Sequence, residues 1–446
     1  MATGTRESNT RDTRPVVSDD WSWRSTAYAW WVVFVLALAL TLSLMDRMIM
    51  ALMITPIQRD LGLGDTEVSL LHGLAFTILY VFAGFPLGRL ADRGSRRTLT
   101  GVSVAAWSAM TALCGAANNF VQLFLARMGV GVGEAGLSPA AISMVSDYFP
   151  KEERARPLAF LTIGTTAGAG IALMVGGSIV EIIGSSGDVN LPLLGQLRAW
   201  KAVFVMLGLA GIAFGAIFLT VREPPRRERL SPDGLPTPLE VARLVGRRAA
   251  FFVPQFFGPA LTLLVLIGFH SWMPTMLLRK FGWAVADAGY AYGALIAIGG
   301  ITGVLLAGSI SVRLNGRGVK KTELSLALWS VVGALPFLVA APLMPNGIAA
   351  LLVAFPGIAL LSIPPALAPA ILQSVTPNEM RGQVFAIHLF VMSLFGYAAG
   401  PLVVAIITES ILGDPQSLNV SLSIIAGVAL PLAALSSLMA RHKASM

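Results

Sequence analysis

About twelve stretches of this chain, each roughly 20 residues or longer, are almost free of charge, and a helix needs that length to cross a hydrocarbon layer about 30 Å thick. They lie near 27–54, 67–90, 97–117, 120–149, 156–183, 199–221, 251–279, 286–312, 321–344, 347–372, 381–408 and 417–440. Hydrocarbon offers no partner to a backbone N–H or C=O, so each run is expected to be a helix. Composition agrees: of 446 residues, 55% are hydrophobic and 13% charged, a balance foreign to a water-soluble domain of this size. The expected fold class is an all-α membrane protein with twelve transmembrane helices. The first run lacks a small-residue cleavage site and reads as a retained helix.

Lysine and arginine set the orientation. With both termini on one side, that side collects 25 of these residues, and the other has only Arg59, Arg198, Lys201, Arg279 and Lys280. The basic side is expected to be cytoplasmic, which makes the chain a multi-pass protein of a bacterial cytoplasmic (inner) membrane. The net charge of +8 follows from the same loops. No basic and aromatic binding module accompanies it, so no nucleic-acid partner is expected.

The expected organisation is a cytoplasmic tail (1–26), a six-helix bundle (27–221), a cytoplasmic linker (222–250), a second six-helix bundle (251–440) and a short tail (441–446). The linker carries prolines and seven arginines, and a short surface helix is expected from Pro238 to Arg248. The bundles echo one another. GRLADRGSRR from Gly88 is answered by GSISVRLNGRGVKK from Gly308, PKEER from Pro150 by PNEMR from Pro377, and GTTAGAG from Gly164 by GYAAGP from Gly396. Three motifs in one order, at offsets of 220, 227 and 232 residues, indicate an internal repeat and two pseudo-symmetric halves.

Two such halves about an axis normal to the membrane resemble the major facilitator superfamily over residues 27–440. GRLADRGSRR is similar to that superfamily's loop signature between its second and third helices. The resemblance implies a gating latch, formed here by Asp92, Arg93, Arg96 and Arg97, that pairs in one conformation and releases in the other. The second copy departs from the pattern, with Val312 where the first has Asp92. Within the superfamily, RMGVGVGEAGLSPAAISMVSDYFPKEERARP, the Trp272–Pro274 triplet WMP and VREPPR after the sixth helix resemble the spinster group. That likeness implies transport of amphiphilic lipids such as lysophospholipids or sphingosine 1-phosphate.

The residues add their own reading. A charge at the bilayer centre costs at least about 2.5–3.5 kcal/mol, so it persists when paired or wet. The first run contains Asp46 and Arg47, and the fourth contains Arg127 and Glu134. At about 1.5 Å per residue, Asp46, Arg47 and Arg127 fall about 7–10 Å outside the midplane and Glu134 falls near it, so all four can face one cavity. Asp46 and Arg47 diverge by about 100° and each needs a partner on another helix. With both carboxylates ionised the cluster is neutral, and protonating one frees an arginine for an anion. Glu134 and Asp46 are therefore the expected proton-coupling groups, and Arg127 and Arg47 the expected substrate-binding cations. A permanent salt-bridge lattice is the structural alternative.

Asparagines and glutamines keep to the ends of the runs, so a polyhydroxylated sugar would find few amides to satisfy its hydroxyls. An apolar wall of residues such as Phe76, Tyr80, Trp272, Tyr290, Phe390 and Tyr397 suits an amphiphile with an ionic head. His72, His270 and His388 also sit in the runs, where each can titrate, bind a headgroup or simply pack; His388 is counted with Trp272, Tyr80 and Tyr397 among the expected substrate contacts. Lone Cys114 makes no disulfide framework. No catalytic residues, metal ligands or cofactor motifs stand out, so an enzyme is not expected. The expectation is a monomeric, proton-coupled secondary transporter of an amphiphilic lipid, embedded among membrane lipids. The rivals are a proton-coupled carrier of small organic anions and, from another class, a lipid sensor or passive scramblase.

Overall fold

The structure, a computed structural model, describes residues 25–150, 153–184, 189–191, 195–226, 236–319 and 321–443. The expected tails up to residue 24 and from 444, linker residues 227–235, and Lys151 and Glu152 of the first PKEER turn lie outside the described residues. Among those described, eleven helices are long and apolar enough to cross a membrane: Thr26–Leu61, Asp65–Arg93, Arg96–Ala116, Phe120–Tyr148, Ala199–Thr220, Ala249–Phe281, Val285–Gly316, Thr322–Leu343, Gly347–Val375, Arg381–Ile411 and Pro415–Lys443. Between the fourth and fifth of these runs Ala155–Gly184, which bends by 42° between Arg156–Thr162 and Ala167–Ile182 at the glycine ladder and makes twelve. They are numbered spans 1 to 12 below.

The repeat seen in the sequence reappears in how helices start and stop. Gly62 and Gly282, 220 residues apart, both end their spans in the left-handed conformation (φ 66° and 68°), which favours glycine because it lacks a Cβ. Asn119 and Asn346, 227 apart, both cap spans 4 and 10 by accepting from a main-chain N–H. At the same offset, Arg154 Nε donates to the Phe149 carbonyl (2.9 Å) and Arg381 Nε to that of Thr376 (3.2 Å). Matching caps and turns at matching offsets make the two six-helix halves structurally equivalent.

The linker joins the halves on one face, called here the linker face; the opposite one is the far face. The halves touch where span 1 meets span 7 and along two further seams. In the first, spans 5 and 8 approach at Gly170 against Gly293 and Ala297, and at Gly177 against Ala286 and Gly289. In the second, span 2 meets span 11 where each helix widens into a π-turn, Leu70–Leu74 and Ser393–Ala398, and Gly73 lies against the main chain of Tyr397 and Ala398. Wide turns of this kind interrupt the regular helix bonding and often mark functional sites. A side chain at Gly293 would strike the Gly170 carbonyl, so Gly293→Leu is expected to part spans 5 and 8 and cost about 1–3 kcal/mol, read as a lower thermal midpoint in detergent.

The surface helix occupies Pro238–Arg247, with proline at its start and a capping box in which Thr237 and Glu240 exchange hydrogen bonds. Val241 buries its side chain in a core cluster with Phe251 and Phe252, docking the helix on the second half. Between spans 5 and 6, β1 (Val189–Leu191) and β2 (Gly195–Leu197) pair antiparallel. Strands of three residues are too short to leave an alternating pattern in the sequence.

Candidate functional site

Span 1 presents Ser43 and Arg47 one helical turn apart, on one face, and both grip Glu134 of span 4. Ser43 Oγ donates to Glu134 Oε2 at 2.5 Å, Arg47 Nη2 at 2.6 Å and Arg47 Nε at 3.0 Å. The carboxylate is wholly buried and the arginine side chain only 15% exposed. Arg47 thus finds the partner on another helix that the sequence requires, and Arg127, on the same helix as Glu134, does not pair with that carboxylate. Arg127 instead donates from Nη1 to the main-chain carbonyl of Asp46 at 3.2 Å, which bears out their common depth. It is fully buried, and its Nε and Nη2, like Glu134 Oε1, have no partner among the described residues. Asp46, turned away from Arg47, is also buried and lies in the field of Arg127 and Glu134.

Aromatic rings hold Arg47 in place. Its guanidinium stands 4.0 Å from the Phe76 ring centre, 5.1 Å from Tyr80 and 5.9 Å from Tyr397 of the other half, and Phe76 and Tyr80 stack on each other. Ring faces attract a cation most where water is excluded. Arg47, His270 and Tyr397 then line the inner end of a cavity of about 480 Å³ between the halves. Its walls are mainly apolar, including Leu263, Ile267, Ile296 and Val304, and it extends toward the linker face past the prolines of span 10.

The structure gathers Asp46, Arg47, Tyr80, Arg127, Glu134 and Tyr397 and leaves two expected contacts elsewhere. Trp272 is fully buried, its Nε1 donating to the Pro401 carbonyl at 2.9 Å, and does not line the cavity. His388 is buried between Phe256 and Phe385 on the linker side of span 11. Of the other aromatic candidates, Tyr290 joins spans 8 and 5 through Ser178 and Glu181.

The expected latch divides in two. Arg96 is buried and bonds Asp147, Ser143, Glu223 (2.8 Å) and the Pro224 carbonyl. Arg97 bonds Glu223 through its main-chain N–H and reaches the Phe218 and Leu219 carbonyls. Arg96 ties span 3 to span 4 and to the residues after span 6, and Arg97 ties it to span 6, all within one half. Asp92 and Arg93 are exposed, with no ion pair to one another or to any described residue. Sequence reasoning missed Glu223 and Arg226, the latter capping span 2 through the Ala91 and Gly94 carbonyls. Both belong to VREPPR, whose lone acid among arginines was the available signal.

Also missed was a cluster on the far face. Arg279 of span 7 donates to Asp65 through Nη1 (2.9 Å) and Nη2 (2.7 Å) and to Gln58 (2.8 Å), so one half holds the other. Glu409 accepts from the Thr66 N–H at 2.8 Å and Ser69 donates to the Pro401 carbonyl. Arg279 was visible only as a rare cation on the base-poor side. The hydrogen bonds between described residues of the two halves all lie on this side of the cavity. Asp65→Asn would strip a largely buried arginine of its counter-charge, an effect worth about 3–5 kcal/mol. Spin labels on the far ends of the halves are expected to move apart in that variant.

The family model described as the Major Facilitator Superfamily matches residues 35–401. An MFS-type efflux pump of Mycolicibacterium smegmatis is 30% identical over 396 residues, which cover 86% of each chain. Protein spinster homolog 1 of Xenopus laevis is 28% identical over 86% of this chain and 74% of its own. A probable galactarate/D-glucarate transporter of Bacillus subtilis is 27% identical over 66% of this chain and 67% of its own. The crystal structure of a bacterial homolog to the human lysosomal transporter spinster, inward-facing and occupied, matches with a TM-score of 0.76 at 26% identity, covering 95% of this chain and 96% of that one.

Proposed function

Because the chain belongs to the major facilitator superfamily and resembles its spinster proteins, we propose that it moves an anionic amphiphilic lipid by alternating access, driven by protons. The observation that carries this reading is Arg47, ion-paired to the buried Glu134 and lining the inner end of a mainly apolar cavity. A lysophospholipid or a sphingosine 1-phosphate-like molecule matches that combination, with its headgroup at Arg47 and its chain along the apolar wall.

In the proposed cycle an ionised Glu134 occupies Arg47. Protonating Glu134 removes the charge that holds the guanidinium, and Arg47 then binds the headgroup; ionisation reverses both. Asp46 and Arg127 form a sealed second layer, with Arg127 bonded to the Asp46 carbonyl. The basic linker face is assigned to the cytoplasm, and likeness to an inward-facing homolog supports that assignment. A bacterial inner membrane and a monomeric carrier complete the reading.

A second reading is favoured by the sugar-acid relative: the same arginine serves a small organic anion. Competition in proteoliposomes separates the two. Long-chain lysophospholipids are expected to block uptake of a labelled lysophosphatidylglycerol, and short-chain phosphates or aldarates are expected to leave it unchanged. The reverse order of potency would make the chain a carrier of small anions, and flux indifferent to any pH gradient would make it a passive scramblase.

A further inference from the structure

The far face carries a crevice to which the proposed cycle assigns no role. Two adjoining cavities, of about 380 and 420 Å³, share Thr55, Arg59 and Arg279, and each is within the size range of small-molecule sites. The first is floored by Pro56 and Leu278, with Trp283 and Val285 alongside. Span 1 supplies one wall, and the end of span 7 with the start of span 8 supplies the other, so the crevice straddles the two halves.

Its charges are unequal in their commitments. Arg279 is neutralised by Asp65, and Glu409 on the opposite rim is held by the Thr66 N–H. Arg59 is exposed and has no partner among the described residues. Thr55, one turn before it, buries a hydroxyl that also has none. A free cation stands at the edge of an apolar floor.

We infer that this crevice is a second binding site for a single-chain amphiphile with an anionic headgroup, the headgroup on Arg59 and the chain over Pro56, Leu278 and Trp283. Both walls exist together only while Arg279 holds the far face closed. The occupant therefore stabilises the far-closed form and slows the cycle from outside, separately from the central cavity.

The test uses the full chain in nanodiscs and 1-oleoyl lysophosphatidylglycerol, with 1-oleoylglycerol as its neutral counterpart. Arg47→Gln is introduced first to weaken the central site, so failure of the proposed transport reading leaves the far-face result intact. Binding of the anionic probe is expected to survive in Arg47→Gln and to fall about tenfold or more when Arg59→Gln is added, the scale of a lost hydrogen bond to a charged group. Spin labels at Ala116 and Pro345, exposed on the far ends of the two halves, are expected to shift toward the shorter distance when the probe is added, and to stop responding once Arg59 is replaced. Arg59→Gln alone is expected to leave flux unchanged at lipid concentrations too low to fill the crevice, and to relieve the slowing at higher ones. Equal affinity with and without Arg59, equal affinity for the neutral counterpart, or a distance change that persists in Arg59→Gln would each overturn the site.

Discussion

Glutamine in place of Glu134 is expected to abolish gradient-driven transport and leave amphiphile binding measurable. The amide keeps the shape of the carboxyl but cannot exchange a proton, so Arg47 stays permanently available to a headgroup. Arg47→Ala acts oppositely. It is expected to weaken binding of anionic amphiphiles by about 1.5–3 kcal/mol, the worth of hydrogen bonds to a charged partner, and to leave Glu134 buried without its counter-charge. A purely structural pair makes a different prediction: each single change lowers thermal stability, and replacing both together restores much of it. Transport with intact pH dependence in the double replacement would contradict the coupling role.

The second large effect concerns Arg96. Its guanidinium is buried and answers two carboxylates, two carbonyls and a hydroxyl on span 4 and on the residues that follow span 6. Arg96→Ala leaves Asp147 and Glu223 facing one another without the cation between them and is expected to cost about 3–5 kcal/mol, measured as a lower thermal midpoint. Arg96→Lys is expected to recover only part of the loss, because one ammonium cannot match the planar fork. Asp92→Asn, at an exposed position, is expected to change stability by less than about 0.5 kcal/mol. We propose that Asp92 engages only when the linker face closes, so its replacement shifts the conformational balance instead. Spin-label distances across the linker face that stay the same in Asp92→Asn would remove it from the latch.

These two sites show what a membrane sequence discloses and what it hides. Spans are legible because hydrocarbon forces the backbone into helices, and their ends are legible where Gly62, Gly282, Asn119 and Asn346 stop or start them. Depth is legible too, since a fixed rise per residue places Arg127 level with Asp46. Lateral packing leaves almost no trace in an apolar run. The pairing of Glu134 with Arg47, the burial of Trp272 against Pro401 and the removal of His388 from the cavity all depend on which helix faces which. The latch string reads as one motif in sequence. The chain divides it because span 2 ends at Arg93, just before Gly94, leaving Asp92 and Arg93 at an exposed helix terminus, and Arg96 opens span 3 facing inward.

Flux of a labelled lysophospholipid in proteoliposomes, with and without an imposed pH gradient, tests the central claim most directly when wild type and Glu134→Gln are measured side by side. Proton-driven alternating access predicts that the gradient drives accumulation in the wild type, and that Glu134→Gln loses accumulation yet still exchanges labelled for unlabelled lipid at equilibrium. Gradient-driven accumulation of equal size in Glu134→Gln would contradict it.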